Sequence, residues 1–563
     1  MNTNPLILDR IYEHEAAQRD VVFMTQPVGD GQLVDITWGQ AVGEARRVAA
    51  YLREQGLPPG ARVAMLAKNS AHFIIAEIAI WIAGGATVAI FPTESAENVR
   101  YVLEHSEASL LFIGRLDNWA QQRSGVPAGL PCIALPLAPE ACAAQGCAGW
   151  HDIVARTAPL SGRPTRAEHE LAMLLYTSGS TGQPKGVMQT FGSISRRVEA
   201  GLTDLDVQLP EGTARRILSY LPLAHAYERG AVECPILFSG EGHIFFADSL
   251  ATFAEDLKRA RPTVFVSVPR LWLKFQQGVL AAMPAPQLDA LLDNPATAAA
   301  VGRKVLAGLG LDEVRLAVSG SAPIPVDLLT WYRRLGLNLV EGYGMTEDFA
   351  YSHRTTAKFC EPGYVGVPSP GVQVRLDEDG EILIKSPGAL VGYYKRPDLN
   401  AQCFTEDGFF RTGDLGEQRP DGQLRITGRK KELFKTAKGK YVAPAPIENR
   451  LNAHPMIEQS MVSGVGQPAP YAMVMLNEYL RPRLSEPATR RQVEADLAEL
   501  LSATNDSLVS HERLARLVIT NEPWTIENGC LTPTMKIKRS RLEEMAAPAI
   551  GSWYAASGPV VWA

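Results

Sequence analysis

A segment rich in glycine and hydroxyl groups, LLYTSGSTGQPKGV at residues 174–187, has the composition of an anion-binding loop. Its apolar start predicts a buried strand. Glycines let backbone N–H groups point into a concave site, and hydroxyls and an ammonium add donors that match phosphate oxygens. The spacing is not the Walker pattern, because no Ser or Thr directly follows Lys185. A flexible Gly/Ser surface loop is the alternative, but a strand that leads into so many donors favours nucleotide phosphates.

The same residues carry a family resemblance. TSGSTGQPKG resembles the phosphate loop of the adenylate-forming superfamily, which includes acyl-CoA synthetases, firefly luciferases and peptide-synthetase adenylation domains. The resemblance covers about residues 30–545, with further motifs in the family's order. It implies that the nucleotide phosphates are held by Thr177, Ser178, Gly179, Ser180, Thr181, Gly182 and Lys185.

A histidine follows in SYLPLAHAYERG, at residues 219–230. An isolated histidine would be interpreted as structural. In this setting the segment resembles the PLAHxxER motif of long-chain acyl-CoA synthetases, which implies that His225 lies beside the acyl carboxylate. RPTVFVSVPRLW, at residues 261–272, is predicted to be a buried strand ending in Pro-Arg and resembles the same branch.

Two strand-and-loop segments, RLAVSGSAP at 315–323 and LNLVEGYGMTED at 337–348, would place polar loops at strand ends. Ligands in open α/β sheets lie beyond the carboxyl ends of the strands. The resemblance implies that these loops enclose adenine, with Tyr343 stacked on it, that Thr346 bonds a phosphate and that Glu347 holds Mg²⁺. A lone acidic residue is otherwise a solvated charge. The implied nucleotide-binding residues here are Gly320, Ser321, Ala322, Glu341, Gly342, Tyr343 and Gly344.

Strand alternation and Asp-Gly turns from about residue 365 predict a small antiparallel β-subdomain. GFFRTGDLG, at 408–416, contains Asp414, which resembles the family's aspartate that accepts both ribose hydroxyls. An ionised carboxylate is a good bidentate acceptor for a vicinal diol. A turn-forming role for this aspartate is the alternative.

A basic run, GRKKELFKTAKGKYVAP at 428–444, resembles the superfamily's domain junction. Arg429 would then contact ATP, Lys431 would be the hinge residue, and nearby lysines including Lys438 would meet phosphates of ATP or CoA. A nucleic-acid patch is the alternative, but no aromatic ladder accompanies the run. Near the end, LTPTMKIKR places Lys536 in the slot of the family's C-terminal catalytic lysine. The wider superfamily has glycine immediately before that lysine, where this chain has Met535.

Composition sets the remaining limits. A net charge of −6 argues against a nucleic-acid surface across the whole molecule. Seven scattered cysteines indicate neither a disulfide framework nor a zinc site, so we expect a reducing, cytoplasmic setting. Residues 73–91 are apolar, but Glu77 and the Gly84-Gly85 pair predict a helix, a turn and a strand rather than a transmembrane span. Peripheral membrane association stays open.

We therefore expect an α/β protein. A large N-terminal domain, residues 1–428, would contain parallel βαβ sheets plus the small β-subdomain at about 365–428. A small mobile α+β C-terminal domain, residues 429–563, would carry the catalytic lysine. Residues 116–165 are predicted to form a surface segment, and 547–563 support no prediction.

The resemblance implies an ATP- and Mg²⁺-dependent synthetase that joins a medium- to long-chain fatty acid to CoA through an acyl-adenylate. Three alternatives remain open at this point. A ligase could load an acyl carrier protein, an aryl acid could be the substrate, or the chain could be a non-catalytic nucleotide-binding protein.

Overall fold

The computed structural model describes residues 5–144, 146–177, 183–356, 358–532 and 534–563. The helices are α1 Ile7–Ala17, α2 Trp38–Glu54, α3 Ala71–Ala83, α4 Ala96–Ser106, α5 Trp119–Gln122, α6 Ala141–Ala144, α7 Trp150–Arg156, α8 Phe191–Gln208, α9 Ala226–Glu228, α10 Cys234–Ser239, α11 Phe253–Ala260, α12 Pro269–Ala282, α13 Ala285–Asp293, α14 Ala298–Leu309, α15 Val326–Arg334, α16 Pro397–Cys403, α17 Pro444–Asn452, α18 Pro487–Asp506, α19 Arg539–Ala546 and α20 Ile550–Ala555. The strands are β1 Val22–Pro27, β2 Leu33–Thr37, β3 Arg62–Leu66, β4 Ala86–Ile90, β5 Leu110–Ile113, β6 Cys132–Ala134, β7 Ala148–Gly149, β8 Leu171–Thr177, β9 Lys185–Thr190, β10 Arg216–Ser219, β11 His243–Phe246, β12 Val264–Ser267, β13 Leu316–Ser319, β14 Leu339–Tyr343, β15 His353–Arg354, β16 Val367–Pro368, β17 Gln373–Leu376, β18 Glu381–Lys385, β19 Gly392–Tyr393, β20 Phe410–Gln418, β21 Leu424–Arg429, β22 Phe434–Lys435, β23 Tyr441–Val442, β24 Ile457–Ser463, β25 Tyr471–Leu476, β26 Leu517–Ile519 and β27 Val560–Trp562.

The first large sheet has the order β19-β9-β8-β4-β3-β5-β6-β7. Strands β8, β4, β3, β5, β6 and β7 pair in parallel, with α3 and α4 as crossover helices. Every residue of β4 is buried, as expected for a parallel strand that is covered on both faces. This sheet confirms the predicted parallel βαβ architecture. Residues 116–165, predicted as a surface segment, differ because β6 and β7 extend the sheet and Trp150 is buried.

The apolar stretch at 73–91 forms a helix, a turn and a strand, as predicted. The Ser70 hydroxyl caps α3 by accepting a hydrogen bond from the Phe73 N–H at 3.2 Å. Gly84 then ends the helix with a φ of 101°, in the left-handed region that favours glycine. No helix within the described ranges is both long enough and apolar enough to cross a bilayer.

Two further sheets position loops on the site. In the sheet β12-β13-β14-β15-β16, the first three strands are parallel, so the loops that follow β13 and β14 leave the same edge. The sheet β10-β11-β1-β2 pairs β10 with β11 in parallel, and the segment after β10 carries His225.

Antiparallel strands β17, β18, β20 and β21 form a separate sheet, which confirms the predicted small β-subdomain. Beyond it, the sheet β24-β25-β26-β27 packs with α17, α18 and α19 around its own hydrophobic clusters, drawn from residues 434–562 and including the buried Trp553. This part is the predicted small α+β C-terminal unit. The tail, for which the sequence supported no prediction, supplies α20 and the edge strand β27.

Candidate active site

The phosphate-loop motif lies at a β-hairpin between β8 and β9. Thr177 and Lys185 are the paired residues that close the hairpin. Ser178, Gly179, Ser180, Thr181 and Gly182 lie outside the described residues. The Lys185 ammonium lies 5.6 Å from the centroid of the Tyr393 ring, within the range of a cation–π contact. Burial and the nearby Lys431 ammonium lower the pKa of Lys185, against the opposing charge of Glu347.

Tyr393 also holds the predicted metal-binding carboxylate. Its hydroxyl donates a hydrogen bond to Glu347 Oε1 at 2.8 Å, and the backbone carbonyl of Glu347 accepts one from the Leu390 N–H at 2.7 Å. Glu347 is therefore fixed on the same side of the site as Lys185. Sequence analysis missed Tyr393, which β19 brings beside β9 although more than 200 residues separate them in the chain.

Asp414 is held by two donors. The Tyr343 hydroxyl donates to Asp414 Oδ2 at 2.7 Å, and Arg429 Nε donates to Asp414 Oδ1 at 2.8 Å. The carboxylate is buried, while Arg429 is more than half exposed. Because each carboxylate oxygen has several acceptor positions, Asp414 can still accept from a diol while these two contacts fix its orientation.

The loop after β13 approaches its neighbours closely. A Cβ on Gly320 would lie 3.0 Å from the Tyr227 ring, and Ser321 has a φ of 69°. The Ile324 N–H donates to Glu341 Oε1 at 3.2 Å, which links this loop to β14. Burial raises the pKa of Glu341 to about 7, and the hydrogen bond from Ile324 makes this residue a link between the loop after β13 and β14.

The loop after β14 is equally confined. A Cβ on Gly344 would lie 2.7 Å from the backbone of Ala350, so only glycine fits without a backbone shift. The carbonyl of Thr346 accepts a hydrogen bond from Gln189 Nε2 at 3.4 Å. The loop that carries Thr346 and Glu347 is thereby tied to β9, the strand that begins with Lys185.

His225 precedes the short helix α9 and is half-buried. Its Nδ1 accepts a hydrogen bond from the Tyr227 N–H at 3.1 Å. Burial, reinforced by the Lys536 charge, lowers the pKa of His225 to about 3. The imidazole is therefore neutral at pH 7 with its proton on Nε2, and it can donate one hydrogen bond to a carboxylate.

A buried ion cluster anchors the His225 segment. Arg229, fully buried, contacts Glu77 at 2.5 Å and Glu233 at 3.2 Å. Its Nε donates to the Leu223 carbonyl at 2.6 Å, two residues before His225. Since removing one partner of a buried pair leaves an uncompensated charge, this cluster fixes the segment rigidly on α3. Glu77, the acidic residue that argued against a membrane span, has this structural role.

Lys536 projects from a tight turn. The Thr532 N–H donates to the Lys536 carbonyl at 2.8 Å, and the Met535 N–H donates to the Thr532 carbonyl at 2.8 Å. Met535 has a φ of 63°. The side chain of Lys536 is solvent-accessible, although the walls of the site surround it. This enclosure and the Arg429 charge lower the pKa of Lys536 to about 8, with Asp414 acting in the opposite direction.

A continuous cavity of about 2920 Å³ brings the predicted residues together. Of the predicted site residues that the structure describes, those that line it are Thr177, Lys185, His225, Gly320, Ser321, Ala322, Glu341, Gly342, Tyr343, Gly344, Thr346, Glu347, Asp414, Arg429, Lys431 and Lys536. Lys438 is exposed and does not line the cavity in this domain arrangement. Its contact with phosphates stays a prediction. Lys185, from the large N-terminal part of the chain, and Lys536, from the C-terminal unit, thus line a shared cleft.

Glu347 fits a magnesium ion. Mg²⁺ prefers oxygen ligands and is commonly bound by one or two carboxylates together with substrate phosphates. Glu347 offers such a carboxylate beside the phosphate-loop lysine. Across the part of the chain that the structure describes, no group of three or more His, Cys, Asp and Glu side chains could hold a metal by itself. An ion here would therefore depend on the phosphates of a bound nucleotide.

Comparison with known proteins agrees with this geometry. Residues 12–394 match the AMP-binding enzyme family, and residues 432–558 match the AMP-binding enzyme C-terminal domain. The long-chain-fatty-acid–CoA ligase FadD15 of Mycobacterium bovis is 32% identical over 97% of this chain and 96% of its own length. Long-chain-fatty-acid–CoA ligase 1 of Homo sapiens is 29% identical over 88% of this chain and 78% of its own.

Solved structures share the fold. The A-PCP didomain of a carboxylic acid reductase from Segniliparus rugosus, in complex with AMP, has a TM-score of 0.81 at 21% identity and covers 99% of this chain and 83% of its own. The anthranilate CoA ligase AuaEII has a TM-score of 0.76 at 20% identity, over 97% and 98%. The family match, the near-complete relatives and the shared cleft lead to one conclusion: the chain belongs to the AMP-binding, adenylate-forming enzyme family.

Proposed function

We propose that this protein is an ATP-dependent acyl-CoA synthetase that activates a medium- to long-chain fatty acid. The observation that carries the proposal is the shared cleft. Lys185, Glu347, Asp414 and Arg429 line one cavity, Lys536 enters it from the C-terminal unit, and apolar side chains such as Phe275 and Val279 also line it. The long-chain-fatty-acid–CoA ligases that match nearly the whole chain support the same substrate class.

The first step would join the acid to AMP. A carboxylate oxygen of the acid attacks the α-phosphorus of ATP, and the bond to the bridging oxygen of pyrophosphate breaks. Negative charge that develops on the phosphoryl oxygens is stabilised by fixed cations without reorganisation. Lys536 would supply that charge, while Lys185 binds the β- and γ-phosphates. Mg²⁺, when held on Glu347 and the phosphates, would add positive charge at the leaving group.

Two residues would orient the reactants. The neutral His225, with its proton on Nε2, would donate to the acyl carboxylate without withdrawing a full charge from it. Asp414 would accept the ribose hydroxyls, held in place by Tyr343 and Arg429. Correct positioning of two reactants can contribute several orders of magnitude in rate.

The second step would transfer the acyl group to a thiol. The CoA thiol loses its proton to solvent, the thiolate sulfur attacks the acyl carbonyl, the mixed anhydride bond breaks, and AMP leaves with its electron pair. In the present arrangement Lys536 occupies the cleft, so the C-terminal unit must move before a thiol can approach from that side. We propose Lys431 as the hinge, close to the boundary between domains 1–428 and 429–563.

The experiment is a pyrophosphate-release assay over a panel of saturated and aryl acids, each with and without CoA. We expect release with octanoate, laurate and palmitate, and a thioester product only when CoA is present. If pyrophosphate is released but no CoA thioester forms, and the acyl group is instead transferred to an acyl carrier protein, then the carrier protein replaces CoA as the acceptor. Preference for benzoate over every fatty acid would assign an aryl substrate. No release with any acid, when ATP still binds, would identify a non-catalytic protein.

The Lys536→Ala variant separates the two steps. We expect loss of adenylate formation by about 10²- to 10³-fold, as for removal of a group that stabilises developing charge. Thioester formation from supplied acyl-AMP should be retained. Equal loss of both half-reactions would contradict the assigned role.

A further inference from the structure

The Tyr393 side chain contacts two oppositely charged groups in the cavity. Its hydroxyl donates to Glu347 Oε1 at 2.8 Å, and the Lys185 ammonium lies 5.6 Å from the centroid of its ring. Lys185 and Glu347 are both half-buried and line the same cavity, and the Glu347 charge opposes the lowering of the pKa of Lys185. The two charges are therefore close, yet these two described residues form no ion pair with each other and contact Tyr393 instead.

A direct ion pair between them would disable both residues. Opposite charges that are partly removed from water attract more strongly than in bulk solvent, so Lys185 and Glu347 would gain energy by pairing. The ammonium would then be lost to phosphate oxygens, and the carboxylate would be lost to a cation. Tyr393 satisfies both groups without a formal charge, because its hydroxyl donates to the carboxylate and its ring face attracts the ammonium. Burial, together with the Glu347 charge, raises the pKa of Tyr393, so the hydroxyl keeps its proton.

The backbone of Tyr393 is fixed by two sets of hydrogen bonds. Strand β19 pairs Tyr393 with Val187 of β9, and the next residue, Tyr394, donates its N–H to the Gly186 carbonyl at 2.8 Å. Asn400 Oδ1 accepts from the Tyr393 N–H at 2.7 Å, and Asn400 Nδ2 donates to the Tyr393 carbonyl at 3.1 Å. The Tyr393 side chain is also buried. This tyrosine can therefore hold its two charged partners apart.

We propose that Tyr393 is a positioning residue that keeps Lys185 and Glu347 from neutralising each other, so that the ammonium stays available to phosphate oxygens and the carboxylate to a divalent cation. The inference rests on the proposed function, which puts the triphosphate of ATP and its Mg²⁺ beside these two residues. A residue that only orients Glu347 would affect nucleotide binding only when the cation is present. A residue that separates the two charges affects nucleotide binding with and without the cation.

The test removes only the hydroxyl. Tyr393→Phe keeps the ring, so the contact with the ammonium remains while Glu347 is released toward Lys185. Calorimetric titration with ATP, in the absence of an acid, measures nucleotide binding without turnover. In EDTA, where no cation is bound, we expect Tyr393→Phe to bind ATP about tenfold more weakly than the original enzyme. With excess Mg²⁺ the loss should be at least as large, because partners of a metal-binding carboxylate contribute about 10- to 100-fold to metal affinity.

Glu347→Gln provides the second background for the same substitution. Glutamine has the size of glutamate but cannot neutralise Lys185. In EDTA, adding Tyr393→Phe to Glu347→Gln should therefore change the affinity for ATP by less than about twofold. A tenfold loss in both backgrounds would mean that the hydroxyl acts independently of Glu347, and the inference would be wrong. It would also be wrong if the loss appeared only with Mg²⁺, since Tyr393 would then only orient the carboxylate.

Tyr394→Phe is the matched control. This neighbour loses the same hydroxyl from the same segment, but that hydroxyl donates to Glu107 at 3.1 Å, and Tyr394 lies outside the cavity lining. Its affinity for ATP should stay within about twofold of the original enzyme under both conditions. An equal loss in Tyr394→Phe would assign the effect to the segment as a whole and overturn the inference. If the original enzyme binds ATP and Tyr393→Phe binds it equally well, only the inference fails. If the original enzyme does not bind ATP even with Mg²⁺, the proposed function itself fails.

Discussion

Arg270 of α12 and Glu458 of β24 form an ion pair that joins the large N-terminal part of the chain to the C-terminal unit. Arg481 also contacts Glu458, at 3.1 Å. One helical turn further along α12, Lys274 pairs with Glu478 at 3.0 Å, and Gln277 donates to the Pro455 carbonyl at 3.1 Å. A stripe at 270, 274 and 277 thus holds the C-terminal unit in the arrangement that brings Lys536 into the cleft.

The ion pair predicts a selective effect on the first half-reaction. Glu458→Gln removes the charge partner of Arg270 while keeping the side chain's size. Because the pair is only partly exposed, we expect adenylate formation to fall about fivefold, the equivalent of about 1 kcal/mol. Thioester formation from supplied acyl-AMP, for which we propose a different domain arrangement, should change by less than about twofold.

Glu478→Gln provides the comparison. Its pair with Lys274 is about half exposed on both sides, so its loss should alter neither half-reaction measurably. Pyrophosphate release and thioester formation, measured side by side, check both variants. A parallel fall of the two half-reactions in Glu458→Gln would mean that the ion pair serves general stability instead of docking.

The lowered pKa of Lys536 predicts that adenylate formation slows at high pH. Its pKa is lowered to about 8, and only the protonated ammonium can stabilise the negative charge that develops on phosphate. The value of kcat/KM for ATP, which reports ionisations of the free enzyme, should therefore fall as pH rises through about 8. Lys536→Arg keeps its charge across this range, so its profile should stay flat to higher pH even if its maximum is lower. Pyrophosphate release is measured without CoA, so that the CoA thiol does not titrate in the assay. If kcat/KM falls at the same pH in Lys536→Arg and in the original enzyme, the ionisation belongs to another group.

The position of Asp414 predicts that removing its charge weakens nucleotide binding. Asp414→Asn retains the shape of the side chain but replaces an acceptor oxygen with a donor NH₂ that faces the Tyr343 hydroxyl or Arg429. Hydrogen bonds to a charged group contribute about 1.5–3 kcal/mol, so KM for ATP should rise by roughly 10- to 100-fold. Tyr343→Phe, which leaves the carboxylate intact, should have a smaller effect. Direct titration of ATP binding measures both; equal affinities for Asp414→Asn and the original enzyme would exclude a ribose contact.

The sequence predicts the parts of the site in which the order of strands and loops along the chain fixes where a loop must lie. Gly320 directly follows β13 and Tyr343 ends β14, and loops after neighbouring parallel strands must leave the same edge. Their placement at one edge of the sheet therefore follows from motifs that are read locally. The strand before the phosphate-loop motif was predictable for a similar reason, because an apolar run leads directly into the motif, and β8 confirms this strand.

Other parts of the fold and the site could not be predicted, because they depend on pairing between strands that are far apart in the sequence. Tyr393 reaches Glu347 and Lys185 only because β19 adds to the sheet beside β9. The short strands β6 and β7 lack enough residues to show a period of two, and only their pairing, β6 with β5 and β7 with β6, defines them. The tail is similar, because β27 extends the sheet beyond β26 and Trp562 donates to Glu494 across 68 residues.

Glu228 predicts a pH-dependent stability. Burial raises the pKa of Glu228 to about 8, partly offset by a hydrogen bond from Ser219 at 2.6 Å. For an acid whose folded pKa is raised, the stabilising contribution is present below the unfolded pKa of about 4.3 and is lost as pH rises toward the folded value. Glu228→Gln mimics the neutral acid at every pH. Its stability advantage should grow by up to about 1.4 kcal/mol per pH unit between pH 5 and 8. Urea unfolding at both ends of that range checks this; parallel curves would contradict it.

The backbone conformation of Met535 predicts that replacing this residue by glycine stabilises the protein. Its φ of 63° is unfavourable for a residue with a side chain, and the side chain is exposed, so little packing would be lost. Relief of about 1–2 kcal/mol of backbone strain is opposed by about 0.5–1 kcal/mol of added unfolded-state entropy. Met535→Gly should therefore be more stable by about 0.5–1 kcal/mol. Met535→Val, β-branched at a positive φ, should lose at least about 1 kcal/mol.

The turn that contains Met535 also presents Lys536, so the two variants should differ in activity as well. We expect Met535→Gly to keep adenylate formation and Met535→Val to lower it, because a shifted turn moves the ammonium away from the phosphate. Met545→Gly, in the regular helix α19, should have the opposite effect and lower the free energy of unfolding by about 1 kcal/mol. Thermal unfolding together with pyrophosphate release compares all three. If Met535→Gly lost as much stability as Met545→Gly, the left-handed turn before Lys536 would not be the conformation in solution.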